Sequence, residues 1–335
     1  MKKKISRHLK NISDNKKFLV ITILILVCLF YIVFFRGNII SYVRSDVVSD
    51  IKEPIKESIS KLLPLNKTEY DLRMNLLANN PPLVVKPPKI DPKTGETIQP
   101  PAPKPNLWPV HTVYPIAGAI LPFKRIVAYY GNLYSKKMGV LGEYPEDEML
   151  QKLEGEVKKW ELADPTTPVQ PALQYIAVTA QGSPGADGKY RARMPSSEID
   201  KVIKMAAKIN AIVILDIQVG FSNVQTEVPL LEKYLKMPQV HLGLDPEFSM
   251  KTGVQPGKIV GTMDATDINF AAEYLAKLVR DNNLPPKILV IHRYTQKMVT
   301  NYQNIKTLPE VQIVMDMDGW GGKAKKINTY KQFIY

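Results

Sequence analysis

The chain has 335 residues, of which 45% are apolar and 23% charged, enough for one sizeable domain with accessory segments and too apolar for a disordered chain. Its net charge of +13 is unevenly placed: residues 1–17 carry +6, residues 18–124 carry +4 and the remainder only +3. The basic excess sits outside the folded part, which excludes a nucleic-acid-binding domain and its single-faced basic footprint.

In chain order, a basic tail of residues 1–17 is followed by FLVITILILVCLFYIVFF, residues 18–35, with no charge. Eighteen apolar residues are long enough to span a hydrocarbon core. Seven Lys/Arg precede the run and Arg36 follows it almost alone, so the expected topology is a single-pass anchor with a cytoplasmic N-terminus and the bulk outside the cell. A cleaved secretory signal is the competing reading; the apolar run exceeds a usual signal core, and no small-x-small cleavage site follows it. Cys28, the sole cysteine, lies within the run, which excludes an intramolecular disulfide and a cysteine-based zinc site.

Residues 36–80 are expected to form a helical stalk: Ile40, Val43, Val47, Ile51, Ile55, Ile59 and Leu62 recur at steps of three and four, interrupted by Pro54 and closed by Pro64. That stripe suits self-association, contact with the membrane surface, or packing on a neighbour. Residues 81–120 contain ten prolines between Pro81 and Pro109 and predict an extended spacer.

From about residue 121 strands and helices alternate. Strands are predicted at 125–132, 173–180, 211–218, 240–248, 287–294 and 311–318, with helices at 146–162, 196–209, 224–235 and 267–280. The strands are near-continuous apolar runs, as in parallel sheets covered on both faces. No glycine-rich dinucleotide fingerprint is present, which favours a TIM-type (β/α) barrel over a doubly wound sheet. Too few residues follow Trp320 for two more βα units, so the expected barrel is incomplete or the chain stops short of its natural end.

A parallel barrel gathers its chemistry at the carboxyl ends of its strands. Polar residues recur there: Tyr129, Tyr130 and Asn132; Thr179 and Gln181; Asp216 and Gln218; Asp245 and Glu247; His292 and Tyr294; Asp316 and Asp318. Residues two apart on a strand share a face, so each Asp/Glu pair can address one opening. Each acid taken singly is equally explained as a helix cap or loop clasp. As a set they suit glycosidic hydrolysis, with Glu247 as general acid, Asp245 raising its pKa, and Asp216 or Asp318 as opposing base. Tyr129, Tyr130, Gln181, Gln218, His292, Tyr294, Asp316 and Trp320 would then bind substrate, and no cofactor would be needed.

The alternative makes the same acids with His292 ligands for Mg²⁺, Mn²⁺ or Ca²⁺ in phosphoester or amide hydrolysis, although no HxH, HExxH or DxDxDG pattern occurs. A third reading is a non-catalytic barrel that binds wall polymer or a protein partner. Two long loops flank the mouth: 181–195, with Arg191 and Arg193, is either a lid over an anionic or sugar ligand or a mobile turn; 249–267 could wall the same opening.

The strand ending LDPEF, together with the alternation after residue 121, resembles glycoside-hydrolase-type barrels, including wall-degrading muramidases, without the DxxDxDxE strand of chitinase-like barrels. The anchor, spacer, LDPEFSM and DMDGWGG segments together resemble membrane-anchored bacterial surface proteins. The resemblance implies a (β/α) barrel displayed outside the membrane, with a cell-wall or surface glycan as its partner; it does not supply a catalytic pair.

Overall fold

The computed structural model describes residues 64–78, 88–99, 112–319 and 321–333, all within one compact unit, Leu62–Tyr335. The basic tail, the apolar run 18–35 and the stripe from Ile40 to Leu62 lie outside the described residues, as does Trp320. Among the described residues no helix is long and apolar enough to cross a membrane.

The first element among the described residues is helix α1, Lys67–Leu77, beyond the proline at which the expected stripe ends. Asn66 caps it, its side chain accepting from the Glu69 backbone N–H at 3.0 Å, which satisfies one of the free donors of the first turn. Tyr70 buries its ring edge-on against Tyr114 and Phe123, and the Tyr114 hydroxyl donates to Asp71 at 2.8 Å. Within the proline-rich segment, β1 (Lys89–Ile90) and β2 (Thr97–Ile98) pair as an antiparallel hairpin. The expectation of an uninterrupted extended spacer is therefore corrected for residues 88–99. The turn DPKTGE closes the pair because Gly95 supplies a φ of +73° and Asp91 accepts from the Gly95 and Lys93 N–H groups.

The remaining elements are β3 (Arg125–Gly131), α2 (Glu146–Ala163), β4 (Val169–Ala180), β5 (Arg191–Arg193), α3 (Ser196–Ala207), β6 (Ile212–Ile217), the short helices α4 (Val224–Glu227) and α5 (Glu232–Leu235), β7 (Val240–Leu244), β8 (Met263–Asp264), α6 (Ala265–Asn282), β9 (Lys287–His292), β10 (Val299–Thr300), β11 (Val311–Asp316) and α7 (Lys323–Phe333). Strands β3, β4, β6, β7, β9 and β11 lie side by side in that order, all parallel, with β5 antiparallel to β4. The order follows the sequence without reversal, so the fold has no switch point of the doubly wound kind.

The outer face of the sheet packs on the helices. Ile268, Ala271, Ala272, Leu275 and Val279 form one stripe of α6 at steps of three and four, and all are buried. Each leucine-sized side chain so placed stabilises the fold by about 1.5–3 kcal/mol. Asp264 and Asp267 form a capping box at the start of α6, and Asn283 ends it in the left-handed region.

The inner face carries a second, smaller core: Ala172, Ile212, Ile214, Ile288 and Val290, packed by Ile120, Leu121, Ile126 and Val314. The segment before β3 crosses from one edge of the sheet to the other. Ile116 N–H donates to Pro309 O, and the Gln312 side chain accepts from the Ile120 and Leu121 N–H groups and donates to Leu121 O. These bonds hold β11 near the start of β3, so the parallel sheet is curled. Among the described residues β3 and β11 do not pair, and the result is a mixed α/β half-barrel, not a closed barrel.

Candidate functional site

Strand alternation sorts the inner face into an apolar floor and a polar rim. On β6 the series Ile212, Ile214, Asp216 faces inward; on β9 it is Ile288, Val290, His292; on β11 it is Gln312, Val314, Asp316. The pairing places Asp216 beside Ile176 and Gly243, and Asp316 beside His292. Gly243, in the centre of HLGLDPEF, is required there: a Cβ would sit 2.0 Å from the Asp216 Oδ1 atom. The neighbouring strand gives up a side chain to make room for a carboxylate.

His292 is the hub of the rim. Its Nε2 lies 3.1 Å from Asp216 Oδ1 and 2.9 Å from the Gln174 amide, while its Nδ1 lies 2.9 Å from Asp318 Oδ2. Asp316 approaches the same Nδ1 to 4.0 Å. A second chain of bonds runs alongside. The Tyr130 hydroxyl meets Asp216 Oδ2 at 3.4 Å and receives a bond from Gln218, whose Nε2 also donates to Asp245 Oδ2 at 3.1 Å. Gln218 is fixed by the Ala180 N–H on its Oε1, and Asp245 Oδ1 accepts from the Glu247 N–H. Asp245 thereby caps the single 3₁₀ turn Pro246–Phe248 and aims Glu247 along the rim.

Burial sets the protonation of these groups. The Asp245 carboxyl is pushed up to about 8, first by burial and then by Asp216, Glu247 and Asp318, with His292 opposing. Burial would lower His292, yet Asp216 and Asp318, which accept from its two ring nitrogens, together with Asp245, hold it well above its ordinary value. Glu247 is raised by burial and by Asp318, while the nearby Tyr294 hydroxyl lowers it. The Tyr294 hydroxyl is buried without a partner of good hydrogen-bond geometry, but lies near enough to Glu247 for burial and that carboxylate together to raise it. Tyr130 is raised by burial and by Asp216, Asp245 and Asp318; Asp316 is raised mainly by burial.

The structure therefore brings together Asp216, Asp245, Glu247, Asp316, Asp318, His292, Tyr130, Gln218 and Tyr294. Other expected members sit elsewhere. Tyr129 points outward, as its place next to Tyr130 on a strand dictates, and lines an outer hollow with Val140, Tyr144, Lys152 and Glu156. Gln181 lies beyond the end of β4, its side chain donating to the Thr179 carbonyl. Asp216 is fully buried under His292 and has no open face for an attacking water, so it does not fit the role of opposing base. The raised pKa of Glu247 traces to burial and then to Asp318.

The loop 181–195 is neither a free lid nor a mobile turn along its second half. It returns as β5 against β4, and Arg191 and Arg193 both bind the fully buried Glu227 at 2.9 and 2.7 Å. Ser222 adds a fourth bond to that carboxylate, so both arginines are tied to Glu227 within the protein. The loop 249–267 is tied to the segment after β7, where the Gly261 N–H donates to the Glu247 carbonyl at 2.6 Å.

Gln174 was not among the expected residues. Its signal is a lone amide in the apolar run ALQYIAV, where alternation puts it on the inner face with Ala172 and Ile176. His241, at the amino end of β7, accepts the Ile288 N–H through Nδ1 and takes no part in the rim.

No family model matches the chain, and no curated protein matches it. A solved structure similar to it is a mutant of the cellobiohydrolase Cel6A from Humicola insolens in complex with methyl-tetrathio-α-D-cellopentoside. The match has 13% identity, covers 58% of this chain and 63% of that chain, and has a TM-score of 0.29. The chain thus spans less than two thirds of that structure, and a likeness of this size decides neither fold nor chemistry.

Proposed function

We propose that the rim is the active site of a glycosidase-like hydrolase acting on a cell-wall or surface polysaccharide. The observation that carries this reading is the meeting of half-exposed Glu247, after β7, and half-exposed Asp318, after β11, at one mouth, over a buried Asp216–His292 support. Burial favours a proton on Glu247, which suits it to give that proton to the glycosidic oxygen as the C–O bond breaks. Asp318, held at 2.9 Å by His292, is the opposing carboxylate. It takes a proton from the attacking water or bonds to the anomeric carbon itself, and the anomer released first distinguishes the two.

Asp216 and Gln174 position His292, and Gln218 ties Asp245 to Tyr130, so these residues act through others. In this reading residues 18–35 anchor the chain in the membrane, with residues 1–17 cytoplasmic and the half-barrel displayed outside. Release of reducing ends from peptidoglycan or a surface polysaccharide by the full chain tests it. Glu247→Gln and Asp318→Asn should each lower that rate at least about 100-fold, and rates unchanged in both variants would overturn the assignment.

A further inference from the structure

We infer that His292, Asp316 and Asp318 form a site for one divalent cation, of the class that accepts an imidazole nitrogen together with two carboxylate oxygens. One ligand atom from each residue lies within 4.8 Å of the others. The His292 Nδ1 atom is 2.9 Å from Asp318 Oδ2 and 4.0 Å from Asp316 Oδ2. Around an octahedral ion with bonds of about 2.1 Å, adjacent ligand atoms are about 3 Å apart and opposite ones about 4.2 Å. The trio fits that range with small side-chain adjustments.

Two further observations point to an ion. His292 is buried and its ring is aimed: Nε2 faces the Asp216 carboxylate and Gln174, leaving Nδ1 toward the two aspartates. A carboxylate behind a ligating histidine is the usual means of fixing tautomer and ring direction at metal centres. With hydrogen on Nε2 the Gln174 amide presents its oxygen there, an orientation interchangeable with its nitrogen. The Asp318 Oδ1 atom is also buried without a hydrogen-bond partner.

The side chains of Asp316 and Asp318 are 44% and 32% exposed, which gives an ion and its remaining waters a way in. One imidazole among oxygen ligands favours Mn²⁺ or Zn²⁺ over Mg²⁺ and Ca²⁺. The site is narrower than the full acidic set, because Asp216 and Asp245 are buried behind it. It also stands independently of glycan hydrolysis, since the site is built from the geometry of His292, Asp316 and Asp318 alone.

Titration of the full chain in detergent with Mn²⁺, followed by the loss of the free-ion paramagnetic resonance signal, tests the inference. One ion per chain is expected, with affinity at least about 10-fold weaker in Asp316→Asn, and about 10–100-fold weaker in Asp216→Asn through the histidine behind it. Asp316→Asn changes a half-exposed side chain, so its fold can be verified by circular dichroism even where Asp216→Asn fails. Zn²⁺ should displace the bound Mn²⁺. No binding up to about 1 mM Mn²⁺, or equal binding by folded Asp316→Asn, would overturn the site. Activity that persists in EDTA alongside Mn²⁺ binding leaves both the site and the hydrolytic reading standing; inactivity alongside binding removes the hydrolytic reading alone.

Discussion

Replacing Asp245 with asparagine should make the protein more stable at neutral and alkaline pH. Asp245 is 5% exposed and its carboxyl is pushed up to about 8, against about 3.9 in an unfolded chain. Between those values the folded state binds the extra proton, so stability is fully present below about pH 4 and is lost as pH rises toward 8. Each pH unit costs the folded state about 1.4 kcal/mol, which gives a ceiling of about 3–4 kcal/mol between pH 5 and 8. Asparagine has no proton to lose. Its amide oxygen can keep one of the bonds from Glu247 N–H and Gln218, and loss of the other costs about 1 kcal/mol. The variant should therefore be slightly less stable than wild type below pH 4 and more stable, by a few kcal/mol, at pH 8. Urea denaturation followed by far-ultraviolet circular dichroism at pH 4, 6 and 8 measures the difference. A wild-type-minus-variant gap that stays constant over that range would refute the protonated, buried Asp245.

Lys287 should show the opposite slope. It is fully buried, donates to the Met237 and Val240 carbonyls, and burial lowers it to about 7. Above that value the unfolded chain binds more protons, so its contribution grows between about pH 7 and 10. The difference between wild type and Lys287→Met should increase by up to about 1.4 kcal/mol per pH unit over that window, read from the same denaturation curves. Gly243→Ala drives a methyl group to 2.0 Å from Asp216 Oδ1 and should cost about 1–3 kcal/mol by overpacking. Because Asp216 aims His292, the same variant should also weaken Mn²⁺ binding, whereas an equally destabilising change in α6 such as Leu275→Val should not.

What could be read from the sequence and what could not divide along a physical line. A period of two assigns a side chain to a face, so the inward set Asp216, His292 and Asp316 follows from their strands alone. The same rule, applied to adjacent residues, separates Tyr130 from Tyr129, and Gln174 from the apolar residues around it. Depth is different. That Asp216 lies beneath His292 while Asp318 reaches the surface depends on the successive pairings β6–β7, β7–β9 and β9–β11, which no local pattern encodes. The capture of Arg191 and Arg193 by Glu227 is equally long-range, joining a loop to a helix of four residues. The hairpin at residues 89–98 is masked by composition, since prolines at 87, 88 and 92 have the pattern of an extended spacer around the KTGE turn that closes it. The strap that curls the sheet into a half-barrel also escaped, because residues 116–121 carry no regular pattern of their own.

The most direct measurement is reducing-end release from a cell-wall or surface polysaccharide by the full chain, in the presence of EDTA, compared with Glu247→Gln and Asp318→Asn. The account predicts hydrolysis by the wild type that survives chelation and falls at least about 100-fold in each folded variant. Hydrolysis that persists in both variants, or no hydrolysis of any glycan by the wild type, would contradict it.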